Sequence, residues 1–533
     1  MPPSPSPPPP RLPLFSYESL LLLRGSTPMI VGSMSFAVFT DIFVYSIIVP
    51  VVPYVLESRL GIAESSVQTN TSKILALYSV GLIVGSIVFG YAADRLTHRR
   101  LIMLLGLAIL TGATLILFFA KSMALYMVGR VIQGLSAAVV WVVGLAIIAD
   151  IGDSSNMAFL MSFPGIGLSF GMFMGPLVGG VVYDRAGYNT VFYVCFGVLA
   201  VDILLRVVML ERSHMEEICA KRAQELMTAG TTEASLSPAL AEFVRVYCPK
   251  ETFEASPNPD AETKKEEAKT QTQTQTQTQT QTQTQPQTIS KATVPPSPFG
   301  VTVFKRRIRL PAYIGLLGDV RIANAFYLSI ILAWIMTAFE SILTLHVESV
   351  FGFSSLQAGL LFIAFAGPSL FEPVVGRLSD RLGPRHIVFG GFMLATPALI
   401  LMRLADHEKS AGRIACLSIL LVAAGLCVST IFAPVTSEFS NAVTEVEAKH
   451  PGALGTGRGF GQAYGLFNVA YALGSLIGPF AAGGIASSHG WGSAVLSLGV
   501  VTFVSGVATY PFTGGILKRG TGNNNDNDND NNV

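Results

Sequence analysis

Gly90-Tyr91-Ala92-Ala93-Asp94-Arg95-Leu96-Thr97-His98-Arg99-Arg100 joins two long apolar runs, and most of it recurs 286 positions later as Gly376-Arg377-Leu378-Ser379-Asp380-Arg381-Leu382-Gly383-Pro384-Arg385. Both copies read Gly-x-x-x-Asp-Arg-Leu. A short acidic and basic clasp between membrane-length helices, present once in each half, predicts a duplicated all-α polytopic membrane protein whose halves move against each other. A soluble dehydrogenase or hydrolase has no use for that arrangement.

Composition agrees. Half of the 533 residues are hydrophobic and 13% are charged, with a mean hydropathy of +0.53, on the membrane side of the usual soluble balance. The net charge of +1 points neither to nucleic acid nor to an acidic partner. Cys195, Cys219, Cys248, Cys416 and Cys427 fall in apolar runs or in the central linker without metal-ligand spacing, so no disulfide framework, metal or cofactor is expected.

Working outward from the clasp, the N-terminal half divides into six apolar runs over residues 29–210. Residues 1–28 are proline-rich, lack the pattern of a cleaved signal peptide, and read as a disordered cytosolic tail. The first run, residues 29–55, contains Asp41, Tyr45, Pro50 and Pro53. An ionised carboxylate near a bilayer centre costs about 2.5–3.5 kcal/mol on insertion scales, so Asp41 should face a protein interior or a watery cavity, unless it lies close enough to the interface to be solvated. The prolines should bend the outer end of this helix. Residues 57–72 read as a polar loop carrying Asn70-Thr71-Ser72, a candidate glycosylation sequon.

The fourth run holds Arg130-Val131-Ile132-Gln133-Gly134. Arg130 needs a carboxylate, carbonyls or water, or must snorkel from the helix end, and Gln133 lies one turn away on the same face. In the fifth run, Gly167, Gly171, Gly175-Pro176 and Gly179-Gly180 let another helix approach closely and leave a bend, with or without a mechanical role.

Residues 211–322 turn polar, carry a Gln-Thr repeat over 270–284, and read as a largely disordered cytosolic linker with a short helix near residues 215–227. A second set of six runs follows over residues 323–512. Its first carries Glu340, answering Asp41; its fifth carries Tyr464, Asn468, Tyr471, Gly474 and Gly478-Pro479, so the Gly-Pro bend is duplicated too. Residues 513–533 end in a disordered Asn/Asp tract. With both ends inside, most lysines and arginines fall on the cytosolic side, among them Arg95, Arg99, Arg100, Arg377, Arg381 and Arg385 in short loops.

These stretches resemble the major facilitator superfamily, and within it the proton-coupled drug and amine antiporters. Residues 90–100 are similar to the signature loop between that superfamily's second and third helices, residues 130–134 to its fourth-helix motif, and residues 171–180 to its fifth-helix antiporter motif. The chain further resembles the vesicular monoamine and acetylcholine transporters. Asp41 stands nine residues before Pro50 as their amine-contacting aspartate does, Glu340 falls where they carry a seventh-helix glutamate, and Tyr464, Gly474 and Gly478-Pro479 match their eleventh helix. The chain departs from them at Asn468 and Ser429, where they carry aspartates, and at Tyr78, where they carry a lysine.

The resemblance implies twelve transmembrane helices in two six-helix halves, no enzymatic activity, and a monomer in the plasma membrane or a vacuolar or vesicular membrane. Its partners would be the lipid bilayer, protons and a small organic, cationic or drug-like substrate. Alternating access around a midplane cavity is the expected mechanism. Asp41, Glu340, Arg130, Gln133, Tyr45, Asn468 and Tyr471 are the candidate substrate-binding or proton-coupling residues. Gly90, Asp94, Arg95, Gly376, Asp380 and Arg381 would latch the cytosolic face, with Gly175, Pro176, Gly478 and Pro479 as flexing points. A carrier for a neutral or anionic metabolite and a transporter-like nutrient sensor are the alternatives. A channel would need rings of like charge that the scattered intramembrane ionisable residues do not supply. No metal-spaced His/Cys set or nucleophile-base pair lies in the runs to support an intramembrane enzyme.

Overall fold

The computed structural model describes residues 17–95, 99–228, 300–303, 306–309, 312–353, 355–406, 410–450, 454 and 459–515. The Gln-Thr repeat, the Asn/Asp tract and residues 96–98 of the clasp lie outside them.

The N-terminal half comprises α1 (Tyr17–Arg24), α2 (Thr27–Ser46), α3 (Val52–Ser58), α4 (Glu64–Ala93), α5 (Arg99–Phe119), α6 (Met123–Ile151) and α7 (Met157–Val208). The linker contributes α8 (Arg212–Thr228), a two-stranded antiparallel ribbon of β1 (Gly300–Val303) and β2 (Arg306–Arg309), and α9 (Ala312–Leu317). The C-terminal half holds α10 (Val320–Phe351), α11 (Ser355–Ala366), α12 (Glu372–Leu382), α13 (Pro384–Leu401), α14 (Ala411–Lys449), α15 (Phe460–His489) and α16 (Trp491–Thr509).

Eleven stretches among the described residues are long and apolar enough to cross a membrane. One of them, α7, has 52 residues and a non-helical Gly187 at φ 77° inside it. At 1.5 Å per residue it runs about 78 Å, more than twice a hydrocarbon core, so it crosses twice with its turn at Gly187. Twelve crossings result, six in each half. Local chemistry sets several ends: Ser26 caps α2 by accepting the Met29 N–H at 3.4 Å, and Asp319 caps α10 by accepting the Arg321 N–H at 2.8 Å. Gly352 closes α10 in the left-handed conformation at φ 62°.

Within the halves, α2 lies along α7, α4 along α6, α10 along α15, and α13 along α14 and α16. Gly167, Gly171, Gly175 and Gly179 of α7 form the stripe on which α2 rests: a Cβ at Gly171 would meet the Phe39 carbonyl oxygen at 2.9 Å, and one at Gly175 would strike Ser46. Gly474 and Gly478 of α15 do the same for Ile330, Trp334 and Thr337 of α10. The outward faces carry exposed Leu101, Leu394 and Ile419, as a lipid-facing surface requires.

The structure differs from the sequence reading in several places. The tail read as disordered to residue 28 contains α1 and the start of α2. The first membrane helix stops at Ser46 and restarts at Val52, with hydrogen-bonded turns between them around Pro50. The loop read over residues 57–72 is mostly helical, and Asn70 lies within α4. The linker helix is somewhat longer than expected, the ribbon adds a little strand to a chain read as wholly helical, and Cys219 of α8 is disulfide-bonded.

Candidate functional site in the halves' shared interior

Buried charge in a membrane protein needs a partner or a purpose. Several buried charges here have ion-pair partners. Asp202 and Arg206 pair within α7 at 2.8 Å, Arg321 pairs with Glu438 at 2.7 Å, and Arg99 pairs with Asp150. Asp41, Arg130 and Glu372 are fully or almost fully buried and make no ion pair among the described residues.

Asp41 on α2 is 0% exposed. Its Oδ2 accepts the Trp141 indole N–H of α6 at 3.3 Å and the Tyr78 hydroxyl of α4 at 3.4 Å, whereas Oδ1 has no hydrogen-bond partner. Tyr78 is thus one of the groups that touch the carboxylate. Trp141 reaches into the other half, stacking on Tyr471 of α15 with ring centres 6.1 Å apart and planes at 19°, and lying 6.2 Å from Phe467 and 6.5 Å from Phe432.

Arg130 on α6 is also 0% exposed. It donates to Gln133 Oε1 at 2.8 Å and to the Tyr45 carbonyl at 3.2 Å, and its guanidinium lies 5.1 Å from the centre of the Tyr45 ring. Its Nε and Nη2, and Nε2 of Gln133, have no hydrogen-bond partner. Tyr45 in turn lies 4.3 Å from Tyr78, ring centre to ring centre, so Arg130 and Asp41 are joined through two tyrosines. On the C-terminal side, buried Asn468 leaves Nδ2 without a partner, and the Tyr471 hydroxyl reaches Met336 Sδ at 3.7 Å. Glu340 lies on α10, one turn beyond Met336, with its side chain outside the described set.

The two clasps lie at one end of the bundle and reach across the halves. Asp94 accepts the N–H groups of Gly461 at 2.8 Å and Gln462 at 3.0 Å, with the Gln462 side chain at 3.1 Å. Asp380 accepts those of Ala158 and Phe159, both at 2.9 Å. In both cases the donors are the second and third residues of a helix, α15 or α7, so each carboxylate caps a helix of the opposite half. Loss of water on burial pushes the Asp94 carboxyl above the usual range, and the donated hydrogen bonds partly offset this. The arginines behave differently. Arg95 lies over Tyr91 of its own helix at 4.2 Å, and Arg381 is exposed; it is Arg377 that crosses the halves, 4.2 Å from the Phe159 ring. Gly90 and Gly376 let these contacts close: a Cβ at Gly90 would meet the Gly461 carbonyl oxygen at 2.9 Å, and one at Gly376 would meet Phe159 Cα at 2.8 Å.

Sequence reasoning missed Trp141, Tyr313 and Glu372. Tyr313 on α9 donates to the Ile87 carbonyl at 2.6 Å, fastening the linker's end to the last turns of α4. Glu372 had a visible signal, a carboxylate inside an apolar run. Trp141 had none, since an indole in an apolar helix reads as packing.

The Major Facilitator Superfamily family model matches residues 34–444 and 325–523. An MFS-type transporter of Schizosaccharomyces pombe is 30% identical over 490 residues, which span 90% of this chain and 94% of that protein. Multidrug resistance protein Stp of Mycobacterium tuberculosis is 24% identical over 472 residues, 86% of this chain and 75% of that protein. The crystal structure of the human organic anion transporter MFSD10 (TETRAN) shares the fold at 16% identity with a TM-score of 0.57, covering 91% of this chain and 99% of that one. With two six-helix halves meeting over an interior of unpaired buried charge, the chain belongs to the major facilitator superfamily and is a multi-pass integral membrane transporter.

Proposed function

We propose that this transporter moves small organic cations, amine-like or drug-like, by alternating access in exchange for protons. The observation that carries the reading is Asp41: a buried carboxylate with a free oxygen, held against an aromatic wall that spans both halves. A carboxylate attracts an ammonium group, and the faces of Trp141, Tyr471 and Phe467 favour a cation over a neutral molecule of the same size. The likeness of residues 41–50 and of α15 to the vesicular amine transporters supports the same choice, as does the name of the Stp relative. The carboxylate would accept a proton where the cation leaves, which couples the two fluxes. Asp94 and Asp380 would hold the cytosolic face shut in the described conformation.

The test is a substrate panel on reconstituted vesicles with and without an imposed pH gradient. Cation uptake driven by an acidic interior is expected. Asp41→Asn should fold as well as the parent and lower that uptake about 10- to 100-fold, the loss of one charge-assisted contact. Normal uptake by Asp41→Asn would remove the aspartate from the site.

Arg130 favours a second reading. Its unpartnered Nε and Nη2 are donors suited to an anion, and the same panel would then show anion flux lost in Arg130→Gln and retained in Asp41→Asn.

A further inference from the structure

The membrane helix formed by α11 and α12 is broken in mid-span. Residues Gly367–Phe371 form a tight 3₁₀ turn, and α12 restarts with Glu372 and Pro373, well inside the crossing stretch Leu360–Leu382. Glu372 is 2% exposed, its Oε2 has no hydrogen-bond partner, and Oγ of buried Ser369, one turn earlier, has none either. The carboxylate lies flat on α7 at Gly165: a Cβ there would strike Oε2, and Phe432 of α14 closes over the same glycine.

Among the described residues no group of opposite charge answers it. Facing it, α7 carries no charged residue from Met157 to Val182. On α14 the ionisable groups are Cys427 and Glu438 in the middle, the latter bound to Arg321, with Arg413 and Cys416 toward one end and Glu445, Glu447 and Lys449 toward the other. On α13 they are His386 and Arg385 at the clasp end, Arg385 donating to the carbonyls of Thr513 and Gly515. On α12 itself, Arg377 lies on Phe159 and Asp380 holds the start of α7. The related contact in the other half is built differently. At the same 286-residue spacing, Glu372 corresponds to Ser86, whose hydroxyl is satisfied by the Leu82 carbonyl at 2.6 Å.

We propose that Glu372 is a proton-binding site that is neutral while α12 lies against α7 and ionises when the two separate. An ionised carboxylate pressed on a glycine with no donor or cation is among the costliest arrangements a membrane interior can hold, whereas a carboxylic acid is tolerated. On separation the O–H bond breaks, the proton passes to water or to a buffer base, and the hydrated carboxylate remains. Closing the contact takes the proton back. This site rests on the alternating-access part of the reading above and is independent of what the cargo is.

The test uses the full-length protein in lipid nanodiscs without substrate. Infrared difference spectra between about pH 5 and about pH 9 should show, in the C=O stretch of protonated carboxyls, a component that is kept in Asp41→Asn and lost in Glu372→Gln. Spin labels at the exposed Ser154 and Leu382 positions should report separation of the halves whose equilibrium shifts up to about tenfold per pH unit across the titration in the parent, and by less than about twofold overall in Glu372→Gln. The parent titration can be read alone should the variant misfold. A parent that shows no protonated carboxyl, or a Glu372→Gln protein that titrates like the parent, overturns the proposal. Absence of cation transport with both signals present would overturn the antiporter reading and leave this site standing.

Discussion

Where α4 meets α15, Asp94 holds the N–H groups of Gly461 and Gln462 over Gly90; where α12 meets α7, Asp380 holds those of Ala158 and Phe159 over Gly376. The frame is the same, and the filling is not. One turn further in from the first contact sits Ser86, satisfied by its own helix, and over that contact lies Tyr313 of α9. One turn in from the second sits Glu372, without a partner atom for Oε2, on a helix that has just been interrupted. Duplication supplied two hinged contacts of one geometry, and the differences between them assign the first to attachment of the linker and the second to a charge whose state follows the contact.

The strongest way to break the comparison is to fill a glycine. At Gly376 the obstructing atoms are main chain, the carbonyl carbon of Ala158 and Cα of Phe159 at 2.8 Å, so Gly376→Leu cannot be accommodated by moving a side chain. It should cost about 3 kcal/mol or more of closure, a shift of about 100-fold or more toward the separated state, and flux in vesicles should fall with it. Gly90→Leu meets the Tyr313 hydroxyl as well as the Gly461 carbonyl and should be milder. Equal losses at the two glycines would show that the frames are interchangeable and that Tyr313 gives way as little as main chain does.

Next in size are the caps. Asp94→Asn and Asp380→Asn each replace an acceptor with an amide donor that faces a helix N–H, and each should cost about 1–2 kcal/mol, or roughly 5- to 30-fold in the closed population. The two sites share no partner, so the double variant should show the sum. Labelling of cysteines placed in the vestibule at the clasp end of the bundle measures this. An unchanged pattern in Asp94→Asn would make that aspartate a solvated loop charge, against its 6% exposure.

How much of this was legible in the sequence follows from the range of each interaction. The clasps announce themselves because Gly-x-x-x-Asp-Arg-Leu is a local string repeated at a fixed spacing, and the glycine stripes because they repeat every fourth residue on one helix. What the clasps hold was not legible: the N–H groups they cap lie 222 and 367 residues away and carry no side-chain signature. The arginines of the motif looked like half of each clasp, yet a surface guanidinium gains more from a neighbouring aromatic face than from a distant backbone, and Arg95 took Tyr91. Glu372 sat in plain view between Phe371 and Pro373, but only the alignment of the two contacts, Ser86 against Glu372, shows it to be the odd member of a pair.

The smallest expected effect concerns pH, and it separates the two contacts by removing one of them. Burial lifts the Asp94 carboxyl above its ordinary value even though three N–H groups point at it. Once α4 and α15 part, water returns and the value falls back toward that of a free carboxylate. The closed state therefore binds this proton more tightly than the open one, so acid favours closure through Asp94. Its contribution to closure is complete below the open-state value and disappears as pH rises through the raised closed-state value. In a Glu372→Gln background, where the larger titration is silent, vestibule labelling should rise modestly as pH climbs from the open-state value through the raised closed-state value and then stay flat, with the step absent from Asp94→Asn. Labelling that falls over that range would mean that the hydrogen bonds from Gly461 and Gln462 outweigh the loss of water. The first contact would then be closed most firmly by an ionised carboxylate, the reverse of the charge state proposed for the second.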